Sequence, residues 1–273
     1  MKTILVPTDF SSAARQAADF AAALCRELPA KLILFHAYLL PVAVGEMPFV
    51  MVTGEELQKS TDEGLKREAS RLSSAADIQI ESVSRMGIAL DEIKDLVKER
   101  NVDLVVMASR ATEGLDRIFG STTDAAIHNI KKPLLIVPES TTFTRFSRIS
   151  YASDFHFQDS LECFELLLYL VRHFNARLSV IHVQKEGKPL TGDQQAGKSR
   201  LEAIFGNIEH DYQFIEYPEF ENGIVSYLGS EKADLLVVVA REHNFLDRLF
   251  GHHTSQDLSI KTHLPLLILH DKG

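Results

Sequence analysis

Three stretches of this chain carry residue types whose spacing could support ligand chemistry. Asp9 follows a short apolar run near the start, and the segment 108–122, which contains Gly120, follows another. Residues 192–199 fit the pattern G-x4-G-K-[ST], in which loop amides and a lysine cradle the phosphates of a nucleotide. Phosphate binding is therefore the first chemistry to consider, and the surrounding elements decide which stretch could perform it.

The stretch 192–199 lacks the surroundings that its pattern needs. A P-loop leaves a strand directly, whereas here the preceding apolar run ends near Val183 and residues 184–191 intervene. No apolar strand that ends in aspartate offers a partner for magnesium. A chain of this length and average composition also matches the pattern by chance about once in a hundred. We therefore expect no working P-loop, and an ATPase built on this stretch is the least favoured hypothesis.

The histidines do not form a recognisable metal site. His252, His253 and His263 lie close in sequence, but their spacing is not HExxH or any familiar zinc pattern, so we expect solvated loop side chains. His36 and His182 each end an apolar run. We expect these two side chains to be packed or hydrogen-bonded rather than catalytic.

Four landmarks recur in the same order in the two halves of the chain. They pair, first half with second, as 4–10 with 149–155, 31–36 with 177–182, 115–120 with 246–251, and 133–137 with 265–269. A period this long indicates duplicated domains rather than a solenoid, whose repeats span about 20–50 residues. We expect one domain at 1–140 and a second at 146–273, with a linker at 139–147 that is rich in serine and threonine.

Each copy is predicted to alternate strands and helices. Short continuous apolar runs are typical of strands buried on both faces, as in parallel sheets covered by helices. In the first copy these runs are 4–7, 32–35, 104–107 and 134–137. A further run, 78–83, alternates apolar and polar residues and is expected at a sheet edge. Helices begin near Ser11, a plausible N-cap, and near Thr53, where Glu56 gives a capping-box spacing.

This order of elements predicts an α/β fold of two repeated, doubly wound, Rossmann-like domains. Right-handed crossovers give each domain a five-stranded parallel sheet of order 3-2-1-4-5, with helices on both faces. The chain reverses direction between strands 1 and 4 of such a sheet, and ligands bind outside the carboxyl ends of the strands there. The loop at Asp9 and the loop at 108–122 follow those two strands, so we expect the site between them.

Composition narrows the class of protein further. The 273 residues carry a net charge of −9, which argues against nucleic acid as the main partner because phosphate binding needs a basic footprint. Cys25 and Cys163 occupy non-equivalent places in the two copies, and we expect buried free thiols in a reducing cytosol. The sequence contains no signal-peptide pattern and no uncharged apolar run of about 18 residues. We therefore expect a cytoplasmic protein with no membrane partner.

The segment PTDFS at 7–11, together with the glycine-serine pair at 120–121, resembles the universal stress proteins. The resemblance covers essentially the whole chain, in a tandem two-domain form. It implies five-stranded Rossmann-like domains, many of which bind ATP or another adenine nucleotide while others bind none. It also implies pairing through strand 5, which in a tandem member would join the two copies within one chain.

By this resemblance, the family's nucleotide-binding pattern G-x2-G-x9-G-[ST] falls on Ala108, Ala111 and Gly120, with one residue fewer before the last glycine. Each alanine adds only one methyl group, but a left-handed backbone there would cost about 1 kcal/mol or more. The resemblance assigns Asp9 and the backbone of Ala37 to the nucleoside and 120–122 to the phosphates, with 109–110 lining the loop. The residues expected at the site are Pro7, Thr8, Asp9, Ala37, Ser109, Arg110, Gly120, Ser121 and Thr122.

The second copy departs further from the family pattern. Asp154 is retained, but Gly251 is followed by two histidines, and Glu242 stands where the first copy has Ala111. A carboxylate at that place would repel phosphate, so we expect no triphosphate there. The second copy is then expected to be structural, covering the strand-5 edge of the first, which would otherwise be free to pair with other chains.

The sequence thus favours a tandem universal stress protein that acts as a stress-response or regulatory module. It would bind ATP or AMP at one site in the first copy, with Mg²⁺ as a companion of ATP. The alternative is a member that binds no nucleotide and acts through protein–protein interaction, which the alanines at 108 and 111 favour. No GxSxG nucleophile elbow or nucleotidyl-transfer motif is present, so we expect at most weak ATP hydrolysis. The resemblance also allows a homodimer.

Overall fold

A computed structural model describes residues 1–40, 53–75, 77–109, 121–155, 161–240 and 264–270. Within these ranges, ten strands and seven α-helices alternate along the chain. The strands form one sheet, and helices cover both of its faces.

The elements of the first half follow the predicted order of strand, helix and strand. They are β1 Thr3–Pro7, α1 Ser12–Glu27, β2 Lys31–Tyr38, α2 Gly54–Ala75, β3 Ile80–Met86, α3 Ala89–Glu99, β4 Leu104–Ser109, α4 Ser121–Asn129 and β5 Leu134–Pro138.

The second half repeats this order, with a short 3-10 helix, Leu161–Phe164, before its first α-helix. Its elements are β6 Arg148–Ala152, α5 Glu165–Phe174, β7 Arg177–Gln184, α6 Gly192–Phe205, β8 His210–Glu216, α7 Phe220–Ser230, β9 Leu235–Ala240 and β10 Leu266–His270.

The ten strands lie in the order β3-β2-β1-β4-β5-β10-β9-β6-β7-β8. Within each half all pairings are parallel, in the order 3-2-1-4-5, which is the predicted α/β architecture. The halves meet where β5 pairs antiparallel with β10, and Leu135 lies opposite Leu267 at the centre of that pairing. The edge strand β3 begins at Ile80 rather than 78 and extends to Met86, and its residues are only partly buried, as expected at an edge.

Alternation along the strands divides the core into two layers. In β1, for example, Ile4 and Val6 point into one layer and Leu5 into the other. The first layer packs against α1, α2, α5 and α6, and the second against α3, α4 and α7. Each layer contains residues of both halves, so the apolar packing is continuous across the β5–β10 pairing. Each fully buried Leu, Ile or Phe side chain contributes about 1.5–3 kcal/mol to this packing.

The helices α1 and α2 begin where the capping patterns in the sequence predict. The Ser11 hydroxyl accepts a hydrogen bond of 3.3 Å from the amide of Ala14, as expected for the N-cap of α1. At the start of α2, the Thr53 hydroxyl accepts from the Glu56 amide, and the Glu56 carboxylate accepts from the Thr53 amide. These reciprocal bonds satisfy two amides that the first turn would otherwise leave without partners.

The segment that connects the halves is packed rather than loose. Phe146 is 1% exposed, and its ring lies edge-on to Phe174 of α5 with centroids 5.2 Å apart. Phe143 makes an edge contact of 5.2 Å with Phe20 of α1. The side-chain amide of Gln16 donates to the Thr141 carbonyl at 2.7 Å. The two phenylalanines therefore join a helix of each half, a role that the serine- and threonine-rich composition of the linker does not suggest.

Both cysteines are buried and free, as expected. Burial raises the pKa of the Cys25 thiol to about 12, because the thiolate would lose its hydration. The thiol is therefore protonated at neutral pH and unreactive. In the ranges that the structure describes, no helix is both long enough and apolar enough to cross a membrane.

The packed connection predicts a large stability loss in Phe146→Ala. Removing this buried ring leaves a cavity between α1 and α5, which should lower the free energy of unfolding by about 3–5 kcal/mol. Denaturant unfolding of the whole chain measures the loss, and Thr142→Ala, at an exposed position, is the matched control. Equal stability of the two variants would show that the connection lies outside the core.

A second prediction concerns His270, at the end of β10, which is 7% exposed. Burial, with a smaller effect of the positive charge on Lys131, lowers the pKa of His270 to about 4. The unfolded chain therefore binds a proton that the folded chain excludes, and the stability contributed by neutral His270 is lost as pH falls from about 6.5 toward 4. The slope should be about 1.4 kcal/mol per pH unit.

Denaturant unfolding of the wild type and of His270→Gln at pH 7 and pH 5 tests this expectation. Between these values the wild type should lose about 2 kcal/mol more than the variant, whose amide does not titrate. The same pH dependence in both proteins would contradict a buried neutral imidazole.

Candidate functional site

The candidate site lies at the carboxyl ends of β1, β2 and β4. From β1 the chain passes into α1 on one face of the sheet, and from β4 it continues toward α4 on the other. Ile4 pairs with Leu104 and Leu5 with Val105, so Ser109 at the end of β4 continues to the level of Asp9. The helices α1 and α4 therefore lie on opposite faces of the sheet, and in doubly wound sheets this arrangement leaves a ligand-binding crevice between the carboxyl ends of the two strands.

Thr8 extends the β1–β2 ladder by one residue and then begins a turn. Its amide donates to the Phe35 carbonyl at 2.8 Å, and its buried hydroxyl accepts from the Phe10 amide at 3.0 Å. Asp9, between these residues, is exposed, and its Oδ1 accepts from the Ser11 amide at 3.0 Å. The turn therefore presents a carboxylate at the mouth of the crevice, directly before the helix N-cap.

Phe10 and His36 form a unit that supports this turn. Phe10 has a left-handed backbone, with φ of 64°, which costs a residue with a side chain about 1–2 kcal/mol. The His36 ring lies against the Phe10 ring with centroids 4.7 Å apart, and its Nδ1–H donates to the Thr8 carbonyl at 2.6 Å. His36 is therefore both packed and hydrogen-bonded, as expected, and Nδ1 carries a hydrogen because a carbonyl can only accept.

The pairing of Phe10 with His36 was not among the sequence-based expectations, although the sequence carries a signal for it. Both residues recur in the second half as Phe155 and His182, so the repeat preserves the pair. What the repeat alone does not give is the left-handed turn that brings the first ring over the second.

The end of β4 differs from the sequence-based expectation. Ala108 and Ser109 belong to β4 rather than to the following loop, and they pair with Val137 and Pro138 of β5. Because Ala108 is extended, its backbone does not need glycine, and the cost expected for a left-handed alanine does not arise there. Its methyl group packs at the border of the apolar layer formed with α1 and α2.

Thr123 connects the start of α4 to the end of β4. Its buried hydroxyl donates to the Ala108 carbonyl at 3.1 Å, and α4 begins two residues earlier, at Ser121. Thr122 is half-buried in the same first turn. Thr123 was not among the expected site residues, because its contact depends on how the helix packs against the sheet.

Some of the expected site residues lie outside the described residues. They are Arg110 and Gly120. The same holds for residues discussed above that were not expected at the site, which are Ala111 and, in the second half, Glu242, Gly251, His252, His253 and His263. Five of the described site residues lie at or directly after the carboxyl ends of β1, β2 and β4, namely Pro7, Thr8, Asp9, Ala37 and Ser109. Two more, Ser121 and Thr122, begin α4.

The second half repeats the turn with deeper burial. The Phe155 amide donates to the Ser153 hydroxyl at 3.2 Å, and His182 Nδ1–H donates to the Ser153 carbonyl at 2.9 Å. The Phe155 and His182 rings are stacked at 4.4 Å and are 0% and 3% exposed, whereas both members of the first pair are partly exposed. Gln194 of α6 also donates its side-chain amide to the Asp154 carbonyl at 3.3 Å, which brings α6 against this turn.

The stretch 192–199 is helical throughout. It forms the first turns of α6, with Thr191 as N-cap in a capping box with Gln194. The Lys198 ammonium lies over the Tyr212 ring, 4.4 Å from its centroid, and the Ser199 hydroxyl donates to the Gln195 carbonyl. Because its lysine and serine are engaged in this way on a helix, the stretch does not form the phosphate-binding loop that its pattern suggests.

Known proteins match the chain over one half or over both. Residues 1–138 match the sequence model of the universal stress protein family. Universal stress protein MJ0531 of Methanocaldococcus jannaschii is 27% identical over 144 residues, which are 50% of this chain and 81% of that protein.

Several solved structures match nearly the whole chain, and two of them are universal stress proteins by name. A universal stress protein from Archaeoglobus fulgidus superposes with a TM-score of 0.72 over 99% of this chain and 98% of its own, at 18% identity. A putative universal stress protein from Pseudomonas aeruginosa gives a TM-score of 0.56 at 12% identity, over 99% and 94%. At such identities the likeness shows the fold alone, and it extends over the second half.

The sequence match and the fold point to the same family. The match covers half of the chain, from β1 to the end of β5, and the strand order of that half recurs in the second. The chain therefore belongs to the universal stress protein family.

Proposed function

We propose that this chain is a stress-response or regulatory module that binds one adenine nucleotide, ATP or AMP, in its first half. The observation that carries this proposal is the convergence of Asp9, Ala37 and Ser109 at the carboxyl ends of β1, β2 and β4. Ligands of doubly wound sheets bind at this reversal of strand order. Membership of the family, in which many proteins bind adenine nucleotides, supports the choice of ligand.

The nucleoside would bind between the ends of β1 and β2. The exposed Asp9 carboxylate can accept hydrogen bonds from ligand hydroxyl groups, and its turn is held by the Ser11 amide. The backbone of Ala37, half-buried near the end of β2, would face the base. Pro7 and Thr8 would form the floor between these two residues, since their backbone belongs to the β1–β2 ladder.

The phosphates would bind toward α4. The residues at 120–122 include the first turn of α4, and the amides at a helix N-terminus attract anions. The Thr123–Ala108 bond supports this assignment because it fixes the helix start relative to β4. Ser109 and Arg110 would line the same side. Mg²⁺ would accompany ATP, held mainly by phosphate oxygens and water.

The second half, which we place at 146–273 after a first domain at 1–140, would serve as an internal partner. Through β10 it covers the edge of β5, which would otherwise expose unpaired backbone groups. The equivalent turn is more deeply buried than the first, since Phe155 and His182 are stacked and buried and the Gln194 side chain of α6 contacts the Asp154 carbonyl. Glu242 in place of Ala111 would further repel a phosphate.

A second candidate function, protein–protein interaction without nucleotide, has its own support. Leu39, Met86 and Ile88, at the ends of β2 and β3, are 63%, 57% and 62% exposed. Large apolar side chains exposed together are a common feature of interaction surfaces. Ala111 also stands where the family pattern has glycine, although Ala108 no longer counts against nucleotide binding because it is extended.

Calorimetric titration of the whole chain with ATP, with and without Mg²⁺, and with AMP tests the first proposal. We expect saturable binding near one site per chain. In Asp9→Asn the amide oxygen can still accept from Ser11, but the charge is lost, so binding should weaken about tenfold or more. Asp154→Asn, at the equivalent position of the second half, should bind as the wild type does. No binding at millimolar nucleotide would favour protein interaction instead.

A further variant probes the phosphate end of the proposed site. In Gly120→Val a side chain would stand where the phosphates approach backbone amides, so nucleotide binding should be abolished. The matched control is Gly251→Val, which should leave the affinity within about twofold of the wild type, a shift of about 0.4 kcal/mol. Unchanged affinity in Gly120→Val would remove this segment from the site, whereas equal losses in both variants would point to a general disturbance.

A further inference from the structure

The turn that carries Asp9 is held in a strained conformation from both sides. Phe10, the next residue, has a left-handed backbone, and such conformations persist only where the surroundings fix them. The Thr8 hydroxyl accepts from the Phe10 amide, and the Thr8 amide donates to β2. One side chain, His36, contacts the residues on both sides of Asp9.

We propose that His36 is a positioning residue for the nucleotide site, acting through the Thr8 carbonyl to orient Asp9. This inference rests on the proposed nucleotide binding. It assigns a function in ligand affinity to a histidine that need not touch the ligand.

The hydrogen bond from His36 to Thr8 restrains the N-terminal side of Asp9. His36 Nδ1–H donates to the Thr8 carbonyl at 2.6 Å, and that carbonyl belongs to the same planar peptide unit as the Asp9 amide. Fixing the carbonyl therefore fixes the plane from which the Asp9 side chain departs. The bond of 2.8 Å from the Thr8 amide to the Phe35 carbonyl holds the preceding peptide plane. Rotation of the Asp9 backbone is thus restricted from its N-terminal side.

The packing of Phe10 restrains the other side of Asp9. Its ring lies between His36, at a centroid distance of 4.7 Å, and Gly64 of α2. A Cβ atom built on Gly64 would come within 3.1 Å of Phe10 Cζ, so the ring fills the space that this glycine leaves. Asp9 is consequently restrained from its C-terminal side as well, while its carboxylate stays exposed at the crevice.

His182 in the second half serves as the control for a histidine whose role is purely structural. His182 makes the same bond to the Ser153 carbonyl and stacks on Phe155, but this pair is buried. Under the proposed function no nucleotide binds there. A loss of affinity that arose only from weaker folding should therefore follow substitution of either histidine, whereas positioning of Asp9 depends on His36 alone.

Two substitutions at each histidine separate the hydrogen bond from the ring. Asn places an amide N–H close to the position of Nδ1 and lacks the ring, whereas Phe keeps a ring and lacks the donor. ATP affinity of the whole chain is measured by calorimetry, and thermal unfolding of each variant is recorded in parallel. The set is His36→Asn, His36→Phe, His182→Asn and His182→Phe.

The affinity for ATP should depend on whether residue 36 provides a hydrogen-bond donor. His36→Phe should bind ATP about tenfold more weakly than the wild type, a difference of about 1.4 kcal/mol, whereas His36→Asn should stay within about threefold. Both His182 variants should unfold at lower temperature and keep wild-type affinity. These results together would support the inference.

Three results would overturn the inference. Wild-type affinity in His36→Phe would refute it while leaving the proposed nucleotide site intact. Equal losses in His36→Phe and His36→Asn, or equal losses in the His36 and His182 variants, would show that the donor has no special role. Absence of ATP and AMP binding by the wild type would refute the proposed function and, with it, the inference.

Discussion

Parallel strands must be covered on both faces, and this constraint determines most of the molecule. Each central strand alternates between two apolar layers, as Ile4 and Leu5 of β1 do, so each crossover helix must lie on one face or the other. Apolar side chains fill most positions along such strands, so polar groups collect mainly where the strands end. The separation of α1 and α4 onto opposite faces leaves the crevice between β1 and β4, and the residues that we propose to bind nucleotide lie there for that reason.

Features that depend on local pattern could be predicted from the sequence. Continuous apolar runs predicted most of the strands, and the spacing of Thr53 and Glu56 predicted the start of α2. The position of Asp9 at the mouth of the crevice followed from its place after β1 in a sheet of order 3-2-1-4-5. These features were accessible because each depends on neighbours within a few residues or on a general rule of topology.

Features that depend on backbone conformation or distant packing could not be predicted. The contact of Phe10 with His36 needs both a left-handed turn and the β1–β2 register, and neither is visible in residue types. The segment 192–199 shows the converse case, since it has the residue types of a P-loop on a helical backbone, and only its surroundings in the sequence argued against a P-loop. In the segment that connects the halves, the many serines and threonines predicted a linker, whereas Phe143 and Phe146 are packed against helices.

The β5–β10 pairing has a consequence for how the chain emerges during synthesis. Leu135 finds its partner, Leu267, only about 130 residues later in the chain, a contact of very high sequence separation. Until that strand arrives, a nascent first half has its five strands but one bare, wholly apolar edge. Such an edge can pair with other nascent chains on the same messenger RNA. Duplication within one polypeptide thus supplies the partner strand from the same chain, but that strand is translated only about 130 residues after Leu135.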